Sequence, residues 1–170
     1  MARAAAKQSG LVRVYFIPAA EPPHRAKGTF ASYEDRYRMV ELACEPFPEF
    51  EPSRIEDRPG KSFTVDTVIR FRETLDLDSR LFWIIGADAF ADLPTWHRWR
   101  ELAEMVTFAV VSRPGAEHPT SFPTRVQRIE GVDLSVSSSE IRQKLAHHDA
   151  GVELPAAVLR YIQQKALYGW

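Results

Sequence analysis

A chain of 170 residues, 45% apolar and carrying 22 basic against 23 acidic side chains, has material for one well-cored domain and is short for two. The balanced charge leaves no electrostatic footprint for nucleic acid or an anionic membrane, while remaining compatible with a local basic pocket. A single cysteine, Cys44, excludes an intrachain disulfide and a thiolate metal cluster, and no apolar run approaches membrane-spanning length.

Reducing conditions suit that cysteine usage, and residues 1–7 lack the hydrophobic stretch of a secretory signal, so the expected location is the cytoplasm. Cys44 itself is expected as a small apolar residue on a helix face rather than a catalytic thiol. The helix-favouring run 2–9 stops at Gly10. Residues 11–18, with Val12, Val14, Phe16 and Ile17, read as a strand closed by Pro18, and an irregular basic loop with His24, Arg25 and Lys27 follows. Ser32 with Asp35 resembles a capping box for a helix to about residue 45, its carboxylate being shorter than the usual Glu. A strand over 50–57, the Pro59-Gly60 turn and a helix over 64–75 come next.

The chain is organised around Leu81-Phe82-Trp83-Ile84-Ile85-Gly86-Ala87-Asp88-Ala89-Phe90, which reads as a buried strand followed by a glycine and a carboxylate. Gly86 there admits a close approach of backbone to a ligand, or simply makes a tight turn; Asp88 faces the same ligand, or caps a helix starting near Ala89. Trp96 and Trp99, three positions apart, share a face if this segment is helical, and packing is the usual reason for such a pair. A second apolar strand over 106–111 runs into Ser112-Arg113-Pro114-Gly115, and residues 132–136 are the last strand candidate. Ser137 with Glu140 forms a true capping-box pattern opening a helix to about 147, and Pro155 suits the first turn of a closing helix to about 167.

Strands alternating with helices imply an α/β fold with a doubly wound parallel sheet in a single domain over 1–170. In such a sheet the strands point their C-terminal ends at one edge, where ligands bind. His24, Arg25 and Lys27, then Gly86 and Asp88, then Arg113 and Gly115, then Ser137, Ser138, Ser139 and Arg142 all follow strands. The serine-rich helix start offers N–H groups, hydroxyls and the positive end of a helix dipole to a phosphate. N-capping by Ser137, a solvated Arg142, surface placement of His24 and Arg25, and capping by Thr64 or Asp66 are the plain alternatives. The common phosphate-loop, dinucleotide, serine-hydrolase and zinc-protease patterns are absent, and adjacent His147 and His148 make a poor metal pair.

Taken in order, Phe16-Ile17-Pro18-Ala19-Ala20-Glu21-Pro22-Pro23-His24-Arg25, Ser32-Tyr33-Glu34-Asp35-Arg36, Ser62-Phe63-Thr64-Val65-Asp66-Thr67, Ile84-Ile85-Gly86-Ala87-Asp88-Ala89-Phe90, Thr95-Trp96-His97-Arg98-Trp99, Val110-Val111-Ser112-Arg113-Pro114-Gly115 and Val136-Ser137-Ser138-Ser139-Glu140-Ile141-Arg142 closely resemble bacterial nicotinate-nucleotide adenylyltransferase. That resemblance implies a Rossmann-like nucleotidyltransferase fold and transfer of AMP from ATP to nicotinate mononucleotide, giving deamido-NAD and pyrophosphate with Mg2+. It places Ser137, Ser138, Ser139 and Arg142 at the ATP phosphates, Gly86 and Asp88 against the ribose, and Arg113 near the adenine or phosphates. His24 and Arg25 would face the mononucleotide, with Thr64 and Trp96 forming the nicotinate pocket and the indole stacking on the pyridine ring. Phe63 stands where the family more often has Tyr, and Ser139 where it has Thr.

Members of the family open on a strand, a Gly-rich turn and a His-x-Gly-His element, and this sequence starts after that pattern. The expectations are an internal methionine at Met1, an absent first strand, and no catalytic histidines within this sequence, leaving Arg142 in a supporting role. A non-catalytic nucleotide-binding relative and an adenylyltransferase for another acceptor, such as nicotinamide mononucleotide or phosphopantetheine, are the alternatives. The expected partners are ATP and nicotinate mononucleotide, without nucleic acid or membrane, and a homo-oligomer remains open.

Overall fold

The computed structural model describes residues 1–21, 31–112, 123–132, 137–149 and 151–170. In chain order these form α1 (Ala2–Ser9), β1 (Val14–Phe16), α2 (Tyr33–Cys44), β2 (Phe50–Pro52), α3 (Thr64–Arg72), β3 (Phe82–Gly86), α4 (Ala87–Ala91), α5 (Trp99–Met105), β4 (Thr107–Val111), β5 (Val126–Ile129), α6 (Ser138–Ala146) and α7 (Ala156–Gln164), with short 3-10 turns at Leu93–Thr95 and Leu167–Gly169. Two compact units emerge, one of Met1–Val14 with Ser62–Leu134 and one of Tyr15–Lys61 with Ser135–Trp170.

The first unit is built on β4. Its neighbours β3 and β5 both run parallel to it, with Ile84 beside Ala109, Gly86 beside Val111 and Val110 beside Arg128. Alternate side chains of a strand face opposite sides, and here both sides are covered. Phe108 and Val110 join Val65, Val68, Phe90, Leu93 and Leu102 in one cluster, supplied by helical segments 64–105. Ala109 and Val111 pack on the other side with Ala5 of α1 and Ile129. Helices on both faces of a parallel sheet are the expected α/β layering.

Helix α1 ends as its sequence requires, on Gly10 at φ 61°, a left-handed conformation that glycine adopts without a Cβ penalty. Gln8 then stitches it to the sheet: its side-chain amide donates to the Glu130 carbonyl at 2.8 Å and accepts from the Glu130 N–H at 3.0 Å. Strand β3 is less buried than its apolar run suggests. Only Ile85 is buried, because β3 is the outer strand of this ladder among the described residues.

The second unit pairs β1 with β2 through the Ser53 N–H, which donates to the Phe16 carbonyl at 2.9 Å, and sets the Phe16 and Phe50 rings 5.1 Å apart at a tilt of 57°. The strand expected over 11–18 is thus three residues long. Val12, 90% exposed, has no core to face. Helix α2 starts at the expected cap: the Asp35 N–H donates to Ser32 Oγ at 3.0 Å, but the short Asp35 carboxylate accepts from the Ser32 hydroxyl rather than reaching its N–H. Asp35 also accepts from the Tyr161 hydroxyl on α7, at 2.9 Å. Cys44 closes α2 as a buried residue, and burial pushes its thiol pKa up, as expected of an inert side chain. Leu145, Val152, Val158 and Ile162 form this unit's core, with Met39 and Leu42 packed on it.

One strand escaped the sequence reading. Among the described residues the last strand is β5, whose exposed-to-buried pattern over Val-Gln-Arg-Ile carries little apolar signal. Val132 lies outside any strand, and residues 133–136 lie outside the described residues.

Phe108→Ala should destabilise the chain by about 3–5 kcal/mol, since a fully buried ring leaves a cavity on the central strand; urea unfolding measures it. The Ser32 and Tyr161 hydroxyls hold the Asp35 carboxyl below its usual pKa. A depressed folded pKa adds stability above the unfolded value and loses it as pH falls through the folded one. Asp35→Asn should therefore lower the urea midpoint near neutrality and flatten its decline below about pH 4.

Candidate functional site

Gly86 and Val111 end β3 and β4 side by side, so the turns after both strands leave the same sheet edge. The Gly86 turn has φ −74° and ψ 152°, a conformation open to any residue. A Cβ added there would meet only the Met1 Cε, at 4.0 Å. Neither a tight turn nor packing among the described residues accounts for this glycine, so the tight-turn alternative fails. Asp88 is not a cap either. Helix α4 begins at Ala87 with Gly86 as its N-cap, and no side chain caps it. The register of α4 is set by Phe90, 1% exposed, whose ring meets Phe108 at 5.4 Å. Two positions earlier, on the opposite side of the helix, Asp88 is exposed.

Thr64 is the first residue of α3, half-buried, behind an N-cap, Phe63, that supplies no side-chain bond. The capping alternatives for Thr64 and Asp66 therefore fall away. Trp96 ends the Leu93–Thr95 turn and Trp99 begins α5, with Arg98 between them in a left-handed conformation at φ 51°. The indoles thus belong to two elements instead of sharing a helix face; both are half-buried against the Phe90–Leu102 cluster. The Thr64 and Trp96 segments, distant in sequence, come together at two places. The Phe63 and His97 rings lie 4.3 Å apart, and Arg98 Nη1 donates to Asp66 Oδ1 at 2.9 Å.

In the second unit, the box at α6 is reciprocal: the Glu140 N–H donates to Ser137 Oγ at 3.2 Å, and the Ser137 N–H donates to Glu140 Oε2 at 2.6 Å. The capping reading of Ser137 is correct. The box occupies neither the Ser138 nor the Ser139 N–H, which at the first turn have no acceptor within the helix. Both serine side chains are exposed. Arg142, one turn on, donates from Nη2 to Ser139 Oγ at 3.2 Å, which lays a cation along the same helix start. The arrangement offers an anion two N–H groups, the dipole's positive end and a guanidinium.

His24, Arg25 and Arg113 lie outside the described residues. Among the described residues no three His, Cys, Asp or Glu side chains gather where they could hold a metal ion. His97 and the Asp66–Arg98 pair were not picked out as site neighbours from the sequence. Arg98 and Glu101 at i, i+3 were a legible local pair, but the partner 32 positions away was not.

Ser137→Ala should cost about 1 kcal/mol of unfolding free energy, and Ser137→Asp should recover most of it, because either oxygen can accept from the Glu140 N–H; urea titration of the three proteins reads the difference.

The cytidylyltransferase-like family model matches residues 1–144. "Probable nicotinate-nucleotide adenylyltransferase" of Solibacter usitatus (strain Ellin6076) is 46% identical over 167 residues, covering 98% of this chain and 89% of that protein. Its namesake in Geobacillus thermodenitrificans (strain NG80-2) is 40% identical over 161 residues, covering 94% and 73%. Among solved structures, nicotinic acid mononucleotide adenylyltransferase of Plasmodium falciparum, complexed with APC, matches with a TM-score of 0.74 at 17% identity, covering 98% of this chain and 89% of that one. This last likeness establishes the shared Rossmann-like α/β fold. With its parallel β3–β4–β5 core and these relatives across nearly its whole length, the chain belongs to the nicotinate-nucleotide adenylyltransferases of the cytidylyltransferase-like family.

Proposed function

We propose that the protein transfers AMP from ATP to nicotinate mononucleotide, giving deamido-NAD and pyrophosphate, and that its described residues serve the two substrates separately. Family membership carries the reaction. The observation that carries the ATP assignment is the α6 start, where the capping box leaves two N–H groups at the first turn and Arg142 lies one turn along.

In this reading Ser137, Ser138, Ser139 and Arg142 hold the triphosphate, and Gly86 and Asp88 border the ribose. A glycine that neither its own backbone nor its neighbours demand suits a ligand at van der Waals distance, and an exposed carboxylate suits ribose hydroxyls as donors. Thr64 and Trp96 receive the nicotinate group, the indole supplying a flat apolar face to the pyridine ring. His24 and Arg25 are assigned to the mononucleotide phosphate side and Arg113 to the adenine or phosphates, on the family resemblance.

The step itself is in-line displacement. An acceptor phosphate oxygen bonds to the α-phosphorus as the bond from that phosphorus to the bridging oxygen breaks, and the electron pair leaves with pyrophosphate. Positioning and charge neutralisation dominate such a reaction. The planar Arg142 guanidinium can pair with the phosphate oxygens and offset their charge throughout. Mg2+ fits as the ATP complex, since it favours phosphate oxygens and water; when bound it would offset triphosphate charge. Cytoplasmic placement, without membrane or nucleic-acid partners, completes the proposal. No helix among the described residues is long and apolar enough to cross a membrane.

Steady-state kinetics on the natural full-length protein tests the assignments. Arg142→Ala should raise the ATP KM and lower kcat, a combined loss in kcat/KM of about 10- to 100-fold; unchanged ATP kinetics would refute its phosphate role. Thr64→Ala with Trp96→Ala should raise the KM for nicotinate mononucleotide well beyond that for ATP, and equal effects on both substrates would remove the acceptor assignment.

A further inference from the structure

We propose that Arg98 is a positioning residue for the acceptor pocket, setting the distance between the Thr64 end of α3 and the Trp96 turn. The proposal rests on the reading that Thr64 and Trp96 receive the nicotinate group. Three guanidinium nitrogens are engaged: Nε and Nη2 donate to the two Glu101 oxygens at 2.9 and 2.6 Å, and Nη1 donates to Asp66 Oδ1 at 2.9 Å. Glu101 is in the first turn of α5, and Asp66 is in the first turn of α3. One planar fork therefore clamps the two helix starts that flank the pocket residues.

Backbone geometry points the same way. Arg98 is held at φ 51°, ψ 38°, a left-handed conformation that a side chain with a Cβ adopts at a cost. Glycine would relieve that cost but could not make the clamp. Exposure argues against a role in overall stability: the side chains of Arg98, Asp66 and Glu101 are 42%, 34% and 44% exposed, and solvent-screened pairs contribute little. What such a network does supply is direction. Trp96 is two residues from Arg98 and Thr64 two from Asp66, and the Phe63–His97 ring contact is a second tie between the same segments. Small displacements of a binding group are costly to a ligand that must be contacted from both sides.

Isothermal titration of nicotinate mononucleotide and of ATP into the natural full-length protein tests this with Arg98→Ala, Arg98→Gly, Arg98→Lys and Asp66→Asn. Arg98→Gly matters most, because it removes the clamp while fitting the backbone. Both Arg98→Ala and Arg98→Gly should weaken the mononucleotide about tenfold and change ATP less than about twofold. Arg98→Lys should lose less, a point charge keeping one arm of the fork. Asp66→Asn should add little on top of Arg98→Gly in the double variant, because both break one connection. Unchanged mononucleotide affinity in Arg98→Gly overturns the proposal, as does a parallel loss of both ligands with the melting temperature. A wild-type protein that binds ATP but no nicotinate mononucleotide instead overturns the acceptor reading, and this proposal with it.

Discussion

Burial of β4 on both faces is the constraint from which the first unit follows. Because Phe108 and Val110 look one way and Ala109 and Val111 the other, neither side of the strand tolerates water, and helices must cover both. Segments 64–105 cover one side and α1 the other. The parallel register then brings the end of β3 level with the end of β4, and Phe90 packing on Phe108 starts α4 directly beyond Gly86. Asp88 is exposed at that edge because Phe90 is not. The position of a polar side chain is set here by an apolar one two residues away.

Anion and pyridine recognition draw on different parts of polypeptide chemistry. A helix start provides N–H donors as a consequence of hydrogen-bond geometry alone, and at α6 the reciprocal Ser137–Glu140 box does not consume them all. A flat heteroaromatic group has no such ready-made partner. It must be met by side chains from separate segments, and those segments need a fixed spacing. In the pocket proposed here, Phe63 against His97 and Asp66 against Arg98 connect the Thr64 and Trp96 segments, beside the left-handed Arg98.

Local patterns were legible in the sequence, and distant pairings were not. Gly10, Ser32 and Ser137 announced their helix ends because caps depend on residues within one turn. Strand β4 stood out as an apolar run. Strand β5 did not, since Ile129 is the one buried residue of its four and Gln127 and Arg128 break the apolar run. Trp96 and Trp99 look like one helical pair on spacing alone; the left-handed Arg98 between them, stabilised by carboxylates on two helices, is a tertiary effect that periodicity does not carry. For Asp88 the sequence left a ligand-facing and a capping reading open, and the cap falls away for a related reason: the helix start is decided by where Phe90 can bury. The α6 cap was readable because it is local, whereas the tie between the Asp66 and Arg98 segments is a contact across 32 positions.

In the proposed reaction the α-phosphorus of ATP passes to the mononucleotide. Incubating the natural full-length protein with α-phosphate-labelled ATP, nicotinate mononucleotide and Mg2+, and separating the products, follows that phosphorus directly. Label should appear in deamido-NAD with an equal yield of unlabelled pyrophosphate. Bound ATP with no labelled dinucleotide, or label transferred only when another acceptor is supplied, would contradict it.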